Sequence, residues 1–428
     1  MKKVLIISPY YSNFGGIAAV RINGLAKFLP KFGWEPYILT ASSASAESSQ
    51  SQINVFESPY EDLAIKLKRM LRLNENQSLK EQFHVRTQKD KQTQLDFILN
   101  IWAELFAYPD TYHSWRKPSV ALGKKVIECE LCDAMISSSG PPTCNLIAKD
   151  LKEKCCIPWI ADFRDLWTQN HYYHFSKFRH FFERRMEIRT LSHADALTAA
   201  SEPFSAKLKE LHPGKMIFSI TNGFDPDKKN PGSPLAKKFT ISYTGTIYRG
   251  GQDPKLLFEA LSNLIYEGLI DPNDLSVDFY GRKEDWLEDD TKSYGLDGIV
   301  KINGFIPRDE SVEKQRRCHL LLLLTWNNKE EKGVIPAKIF EYFAAGRPIL
   351  SIGATGGVVD DLLKITGAGF HPSSKEDMKR IIMNAYNEYK SKNTVTYHGL
   401  PSEIDKFSHI EMARKFSAVL DDLVEAKK

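Results

Sequence analysis

The stretch Gly333-Val334-Ile335-Pro336-Ala337-Lys338-Ile339-Phe340-Glu341-Tyr342-Phe343-Ala344-Ala345-Gly346-Arg347-Pro348-Ile349-Leu350 joins a glycine turn, an amphipathic helix and a new strand. Pro336 stands at the helix start, where its missing N–H would have been unpaired in any case. The amides of Ala337 and Lys338 then face whatever precedes the helix, and Lys338 adds a cation, which suits a diphosphate. Glu341, read as more than two turns further on, is a carboxylate able to accept both hydroxyls of a ribose. The same pattern also describes an ordinary helix and strand of an α/β domain.

Working outward, this stretch belongs to an alternating series: strand 239–243, helix 254–265, strands 277–280 and 300–302, the leucine run 320–324, the quoted helix and strand 349–351. A matching series precedes it, with strand Val4-Leu5-Ile6-Ile7, a loop at 8–16, helix 18–32 and strand 37–39. It resumes at Asp133 with strand 134–136, helix 145–153, strand 159–161, helix 175–191 and strand 196–198. The fold class is therefore α/β, in two doubly wound parallel-sheet domains, 1–228 and 229–407. Residues 225–238, rich in proline, glycine and lysine, read as the linker. Ligands of such sheets bind beyond the carboxyl ends of the strands, so the candidate residues belong in post-strand loops facing a shared cleft.

Composition narrows the function. The 428 residues, 42% hydrophobic and 26% charged, suffice for two cores. A net charge of +4, from 58 basic and 54 acidic residues, is too balanced to indicate a nucleic acid partner. Among the six cysteines, Cys129 and Cys132 form a C-x-x-C, but no second pair at zinc spacing accompanies them, so reduced structural thiols are expected. With no signal-peptide pattern and no apolar run near the ~20 residues of a membrane span, a cytoplasmic protein is expected. Residues 41–52 read as a serine-rich loop. Leu63, Leu67, Met70 and Leu71 form an apolar stripe beside Lys66, Lys68, Arg69 and Arg72. That stripe fits peripheral contact with an anionic membrane, or a helix packed on the domain with its lysines solvated. Phe97, Ile98, Ile101, Trp102 and Leu105 read as a core-facing helix.

The candidate chemistry lies after strands. Gly245, Arg249, Gly250 and Gly251 follow the first strand of the second half, and with Lys338 and the helix amides they outline a cationic phosphate cradle. Asn303 to Pro307 is either a nucleobase contact, through Ile306 and Pro307, or a plain turn. In the first half Gly15 and Gly16 open a loop able to cover a substrate, and Arg21 faces either the cleft or solvent. Asp162-Phe163-Arg164-Asp165-Leu166-Trp167 puts two carboxylates and a guanidinium at a cleft mouth; the alternative is a buried Asp–Arg pair fixing the loop. Arg164 between the carboxylates argues against a metal site. Ser137-Ser138-Ser139 reads as a post-strand loop for hydroxyl contacts. No nucleophile elbow or zinc H-E-x-x-H is present.

Taken together, Gly333 to Leu350 and Asp162 to Trp167, with Gly15-Gly16, Tyr243 to Arg249 and Gly356-Gly357, resemble the GT-B glycosyltransferases of the retaining family 4 over nearly the whole chain. The resemblance implies two Rossmann-like domains facing an interdomain cleft. It implies transfer from a UDP- or GDP-linked sugar to a glycan or lipid-linked acceptor, without cofactor or obligatory metal, at the cytoplasmic face of a membrane. Glu341 matches the second glutamate of the family's E-x7-E motif, but Gly333 replaces the first. Thr246 and Gly251 stand where the family has its diphosphate-binding Arg and Lys, so Arg249 and Lys338 are the substitutes named here. Donor contacts are assigned to Gly15, Gly16, Gly245, Arg249, Ile306, Pro307, Ala337, Lys338 and Glu341, and acceptor contacts to Arg21, Ser138 and Asp165. Catalytic roles are assigned to Asp162, Arg164, Arg249 and Lys338. The helix at 408–428 is expected to return to the first domain. An epimerase or inverting enzyme on the same frame, or a non-catalytic sugar-nucleotide binder, are the rival readings.

Overall fold

The computed structural model describes residues 1–11, 16–42, 54–61, 104, 107–170, 173, 175–327, 331 and 333–427. Gly15, the basic stripe at 63–72, the apolar residues Phe97, Ile98, Ile101, Trp102 and Leu105 read as a helix, and most of the serine-rich loop lie outside the described residues. The chain divides into two compact units, Met1–Thr221 with Met412–Lys428, and Asn222–Glu411.

The first unit holds a seven-stranded sheet in the order β3-β2-β1-β4-β5-β6-β7. Its strands are β1 (Lys2–Ile7), β2 (Trp34–Ser42), β3 (Asn54–Pro59), β4 (Ala134–Ser139), β5 (Trp159–Phe163), β6 (Ala196–Ala199) and β7 (Met216–Ser219). Every pairing is parallel, with Ile6 opposite Ile38 on one side and Ile136 on the other. Val4 to Ile7 and all of β4 and β5 are buried, as strands covered on both faces must be. The serines expected in a loop after β4 are therefore inside the sheet: a run of serine carries turn propensity, but Ser137 is held by Asn145 and Trp159. The helix His409–Glu425 contributes Ala413, Phe416 and Leu420 to this unit's core, and Asp421 accepts from Lys2 at 2.7 Å and from the Trp34 indole at 3.1 Å.

The second unit holds a six-stranded parallel sheet in the order β10-β9-β8-β11-β12-β13. Its strands are β8 (Phe239–Thr244), β9 (Leu275–Tyr280), β10 (Val300–Ile302), β11 (Leu320–Leu324), β12 (Ile349–Ile352) and β13 (Gly369–Phe370). Leucine is a good helix former, yet the five leucines of β11 form a strand because both sheet faces need apolar cover. Leu320, Leu322 and Leu324 enter one core with the helices Lys255–Tyr266 and Lys375–Lys392; Leu321 and Leu323 enter the other with Lys338–Ala345 and Val358–Thr366. The segment read as a linker belongs to this unit. Asn230 bonds the carbonyls of Ala344 and Ala345, Arg347 reaches Ser233, and Phe224 exchanges backbone bonds with Phe407 and His409. The divide thus falls at Thr221 rather than after residue 228.

Candidate functional site

In the second sheet β8 lies between β9 and β11, so the strand order reverses at the β8–β11 boundary and the loops leaving those two strands flank a crevice. Gly245 follows β8 with φ +118° and donates its N–H to Tyr280 at 2.6 Å. A Cβ on Gly245 would fall 2.4 Å from Cε and 2.8 Å from Nζ of Lys338, so the lysine side chain rests on the glycine. Gly281 backs the same turn, since a Cβ there would meet the Gly245 carbonyl oxygen at 2.2 Å.

Lys338 opens the helix Lys338–Ala345. The helix starts two residues after Pro336, and neither the Ala337 nor the Lys338 amide has a backbone acceptor among the described residues. The far end closes on Gly346 in the left-handed region, whose N–H bonds Tyr342 and Phe343 carbonyls. The buried Tyr342 hydroxyl donates to the Leu322 carbonyl and accepts the Thr244 amide, fixing the helix to β11 and β8. The Lys338 ammonium lies 5.1 Å from the centre of the Tyr243 ring. Burial lowers its pKa from the ordinary lysine value, against an opposing pull from Glu341. Among the described residues no carboxylate comes within ion-pair range of it.

Glu341 sits in the first helical turn, closer to the helix start than the spacing suggested, because the helix begins at Lys338. Its Oε1 accepts from Arg308 at 2.9 Å and its Oε2 from Gln315 at 3.4 Å; Gln315 also donates to Thr244 at 2.9 Å. The sequence reading missed both partners. Arg308 directly follows Pro307 at the start of the helix Arg308–Arg317, and Gln315 is a buried polar residue on that helix. Their spacing of two helical turns was the available signal. Ile306 is half-buried and Pro307 exposed. Arg249 stands exposed on the Gly245 loop, whose flank is secured by Tyr248 stacked on Trp326 at 5.5 Å and by Gln252 bonded to the Leu324 carbonyl. The structure thus seats Lys338 on Gly245, places Glu341 in the same first helical turn as Lys338, and carries Arg249 on the Gly245 loop.

In the first unit, three of the assigned residues lie in the core. Asp162, given a catalytic role, and Arg21, given to the acceptor, are both fully enclosed and bound to each other: Nε to Oδ2 at 2.8 Å and Nη2 to Oδ1 at 2.7 Å. Thr198 donates to Asp162, and Arg21 also reaches the Ile220 carbonyl and lies over the Phe416 ring. Asp162 ends inside β5, which is why its carboxylate enters the core instead of a loop. Ser138, a second acceptor candidate, is likewise buried in β4. Gly16 starts the helix Gly16–Phe28 with φ +52° and is exposed.

Arg164 and Asp165 do lie beyond β5. Arg164 donates to Asp165 at 3.1 Å, to the Ala18 carbonyl at 3.1 Å and to the Gly140 carbonyl at 3.0 Å, with Tyr10 beneath its guanidinium. Gly140, at φ +92°, admits this approach: a Cβ there would lie 3.0 Å from Nη2. Arg164 thereby ties together segments following β1, β4 and β5, and leaves Asp165 half exposed. Among the described residues no three His, Cys, Asp or Glu side chains come together as a metal site.

Two Rossmann-ordered parallel sheets define the GT-B class of fold, which solved structures share from end to end. HepE of Anabaena, in complex with UDP and glucose, is 15% identical with a TM-score of 0.62, covering 99% of this chain and 100% of its own. Sucrose-phosphate synthase of Thermosynechococcus elongatus is 11% identical with a TM-score of 0.61 and full coverage of both chains. The lipopolysaccharide outer core galactosyltransferase WaaB is 16% identical with a TM-score of 0.55, again over both chains. Comparison with protein-family models and with curated proteins gives no match.

Proposed function

We propose that this chain is a glycosyltransferase that moves a sugar from a nucleotide-sugar to an acceptor hydroxyl, with retention at the anomeric carbon. The observation that carries the reading is Lys338 resting on Gly245 at the strand-order reversal, beside the carboxylate of Glu341. A pyrophosphate placed against Gly245 meets a half-desolvated ammonium and the amides of Ala337 and Lys338. That environment stabilises the charge developing on a departing diphosphate. Its basic oxygen then serves to take the acceptor proton, so no protein nucleophile is required. Glu341 accepts from the ribose hydroxyls, with Arg308 and Gln315 holding the carboxylate in place. Arg249 supplies further positive charge, and Asp165 with Arg164 provides polar contacts for an acceptor. HepE binds UDP, which makes uridine the first base to test here. A glycan or lipid-linked acceptor in cell-surface polysaccharide synthesis completes the reading.

Titration calorimetry with UDP and GDP, followed by turnover of the corresponding sugars, tests this function. Lys338→Ala is expected to weaken diphosphate binding at least about tenfold, in line with loss of one charge-assisted contact. Gly245→Ala is expected to do the same with the lysine still present, because the new methyl group occupies the space of the Lys338 side chain. Because the Lys338 pKa is lowered, affinity should fade as pH rises earlier than an ordinary lysine would allow. Unchanged nucleotide affinity in both variants removes the site, and absence of sugar transfer from any donor removes the reaction.

A further inference from the structure

The helix Lys177–Leu191 buries one arginine and both of its glutamates and turns its phenylalanines outward. Phe178, Phe181, Phe182 and Ile188 are 74%, 50%, 44% and 41% exposed, whereas Arg179, Glu183 and Glu187 are buried. The inner charges are held by named partners. Arg179 pairs with Glu183 at 2.5 Å and donates to the carbonyls of Ala107 and Pro109; the Trp167 indole donates to Glu183, and the Thr168 amide to Glu187. Rolling the helix to hide its phenylalanines would break these buried pairs, so the exposed face is a fixed feature. The start is equally fixed, since Ser176 caps it by accepting the Arg179 amide at 3.1 Å.

The outer face carries a definite charge. Lys177, Arg184, Arg185 and Arg189 are exposed among the apolar residues, and both carboxylates of the helix, Glu183 and Glu187, point inward. Phe178 and Phe182 meet edge to face at 4.8 Å, Phe182 touches Phe181 at 5.4 Å, and the Arg185 guanidinium lies 4.4 Å from the Phe181 ring centre. The result is a contiguous aromatic ridge with basic side chains around it. Phenyl groups in this setting enter the boundary between headgroups and acyl chains, while guanidinium and ammonium groups meet lipid phosphates.

We infer that this helix face docks the protein on an anionic lipid bilayer. The surface belongs to the first unit, and the inference does not depend on sugar transfer. The test is sedimentation of the full chain with vesicles of phosphatidylcholine, with and without phosphatidylglycerol, in the absence of nucleotide. Binding is expected only with the anionic lipid, and added salt should weaken it. Phe178→Gln, Phe181→Gln and Phe182→Gln combined should lower vesicle binding at least about tenfold, as should Arg184→Glu, Arg185→Glu and Arg189→Glu combined. The Arg-to-Lys version of the second variant should retain binding. All these side chains are exposed, so circular dichroism and melting should stay at wild-type values. Equal binding to neutral vesicles, or binding indifferent to both sets of substitutions, overturns the proposal. So does failure to bind any vesicle together with a concentration-dependent dimer abolished by the phenylalanine variant, which would assign the ridge to a second copy of the chain.

Discussion

His319 shows how one side chain ties acidity to stability. It is buried at the start of β11, packed against Phe239 and Tyr389, and its Nδ1 accepts the Thr240 amide at 3.1 Å, which only a neutral ring can do. Burial pulls its pKa from 6.5 down to about 4, helped by Arg347 and opposed by the Asn393 backbone. The folded value lies below the unfolded one, so the stability it contributes is complete above 6.5 and drains away as pH falls through about 4. The total is about 3 kcal/mol. Urea unfolding of the second unit between about pH 7 and about pH 4 should show this loss, and His319→Leu should be less stable at neutral pH yet give a shallower dependence. Equal slopes in the two proteins would assign the acid sensitivity elsewhere.

At the level of elements, the Arg21–Asp162 pair joins the helix Gly16–Phe28 to β5 and carries a stability prediction of its own. Asp162→Ala should cost about 3–5 kcal/mol in chemical denaturation, because it leaves a buried guanidinium uncompensated. Asp165→Asn, at a half-exposed position, should stay within about 0.5 kcal/mol. An Asp162→Ala protein of full stability that lacked only turnover would restore Asp162 to the reacting centre. The sequence placed Asp162 near the right strand end but on the wrong side of it, since strand boundaries follow tertiary pairing that local pattern does not encode. The alternating apolar runs, by contrast, revealed the parallel sheets directly, because strands buried on both faces leave a continuous apolar signature. The edge strands β3, β7 and β13 were not legible: their pairing leaves most of their residues partly exposed, so no continuous buried run marks them. In the candidate site, Lys338 and Glu341 were legible from their motif, while Arg308 and Gln315 were not, since their meeting with Glu341 depends on how two distant helices pack. The helix at 175–191 was legible as a helix, but its inverted faces were not, because periodicity alone cannot say which side is buried.

For the whole molecule, the two sheets supply separate cores, so a ligand of one unit should reveal itself by where it stabilises. At a free UDP concentration of about 100 times its Kd, binding should add about 2.7 kcal/mol to the unit that holds it. Hydrogen exchange should show the gain in the core amides of β8 and β11, with little change in β1 and β4. Equal protection in both sheets, or protection confined to the first, would move nucleotide recognition away from Lys338.

Lys2 and Asp421 grip each other within the first unit, and the chain leaves that unit at Thr221 and re-enters it at Met412. The second unit is therefore an excursion begun and finished inside the first. A pulling force applied at Lys2 and Asp421 would load the first unit alone, and until that unit gave way the inserted second unit would carry no tension.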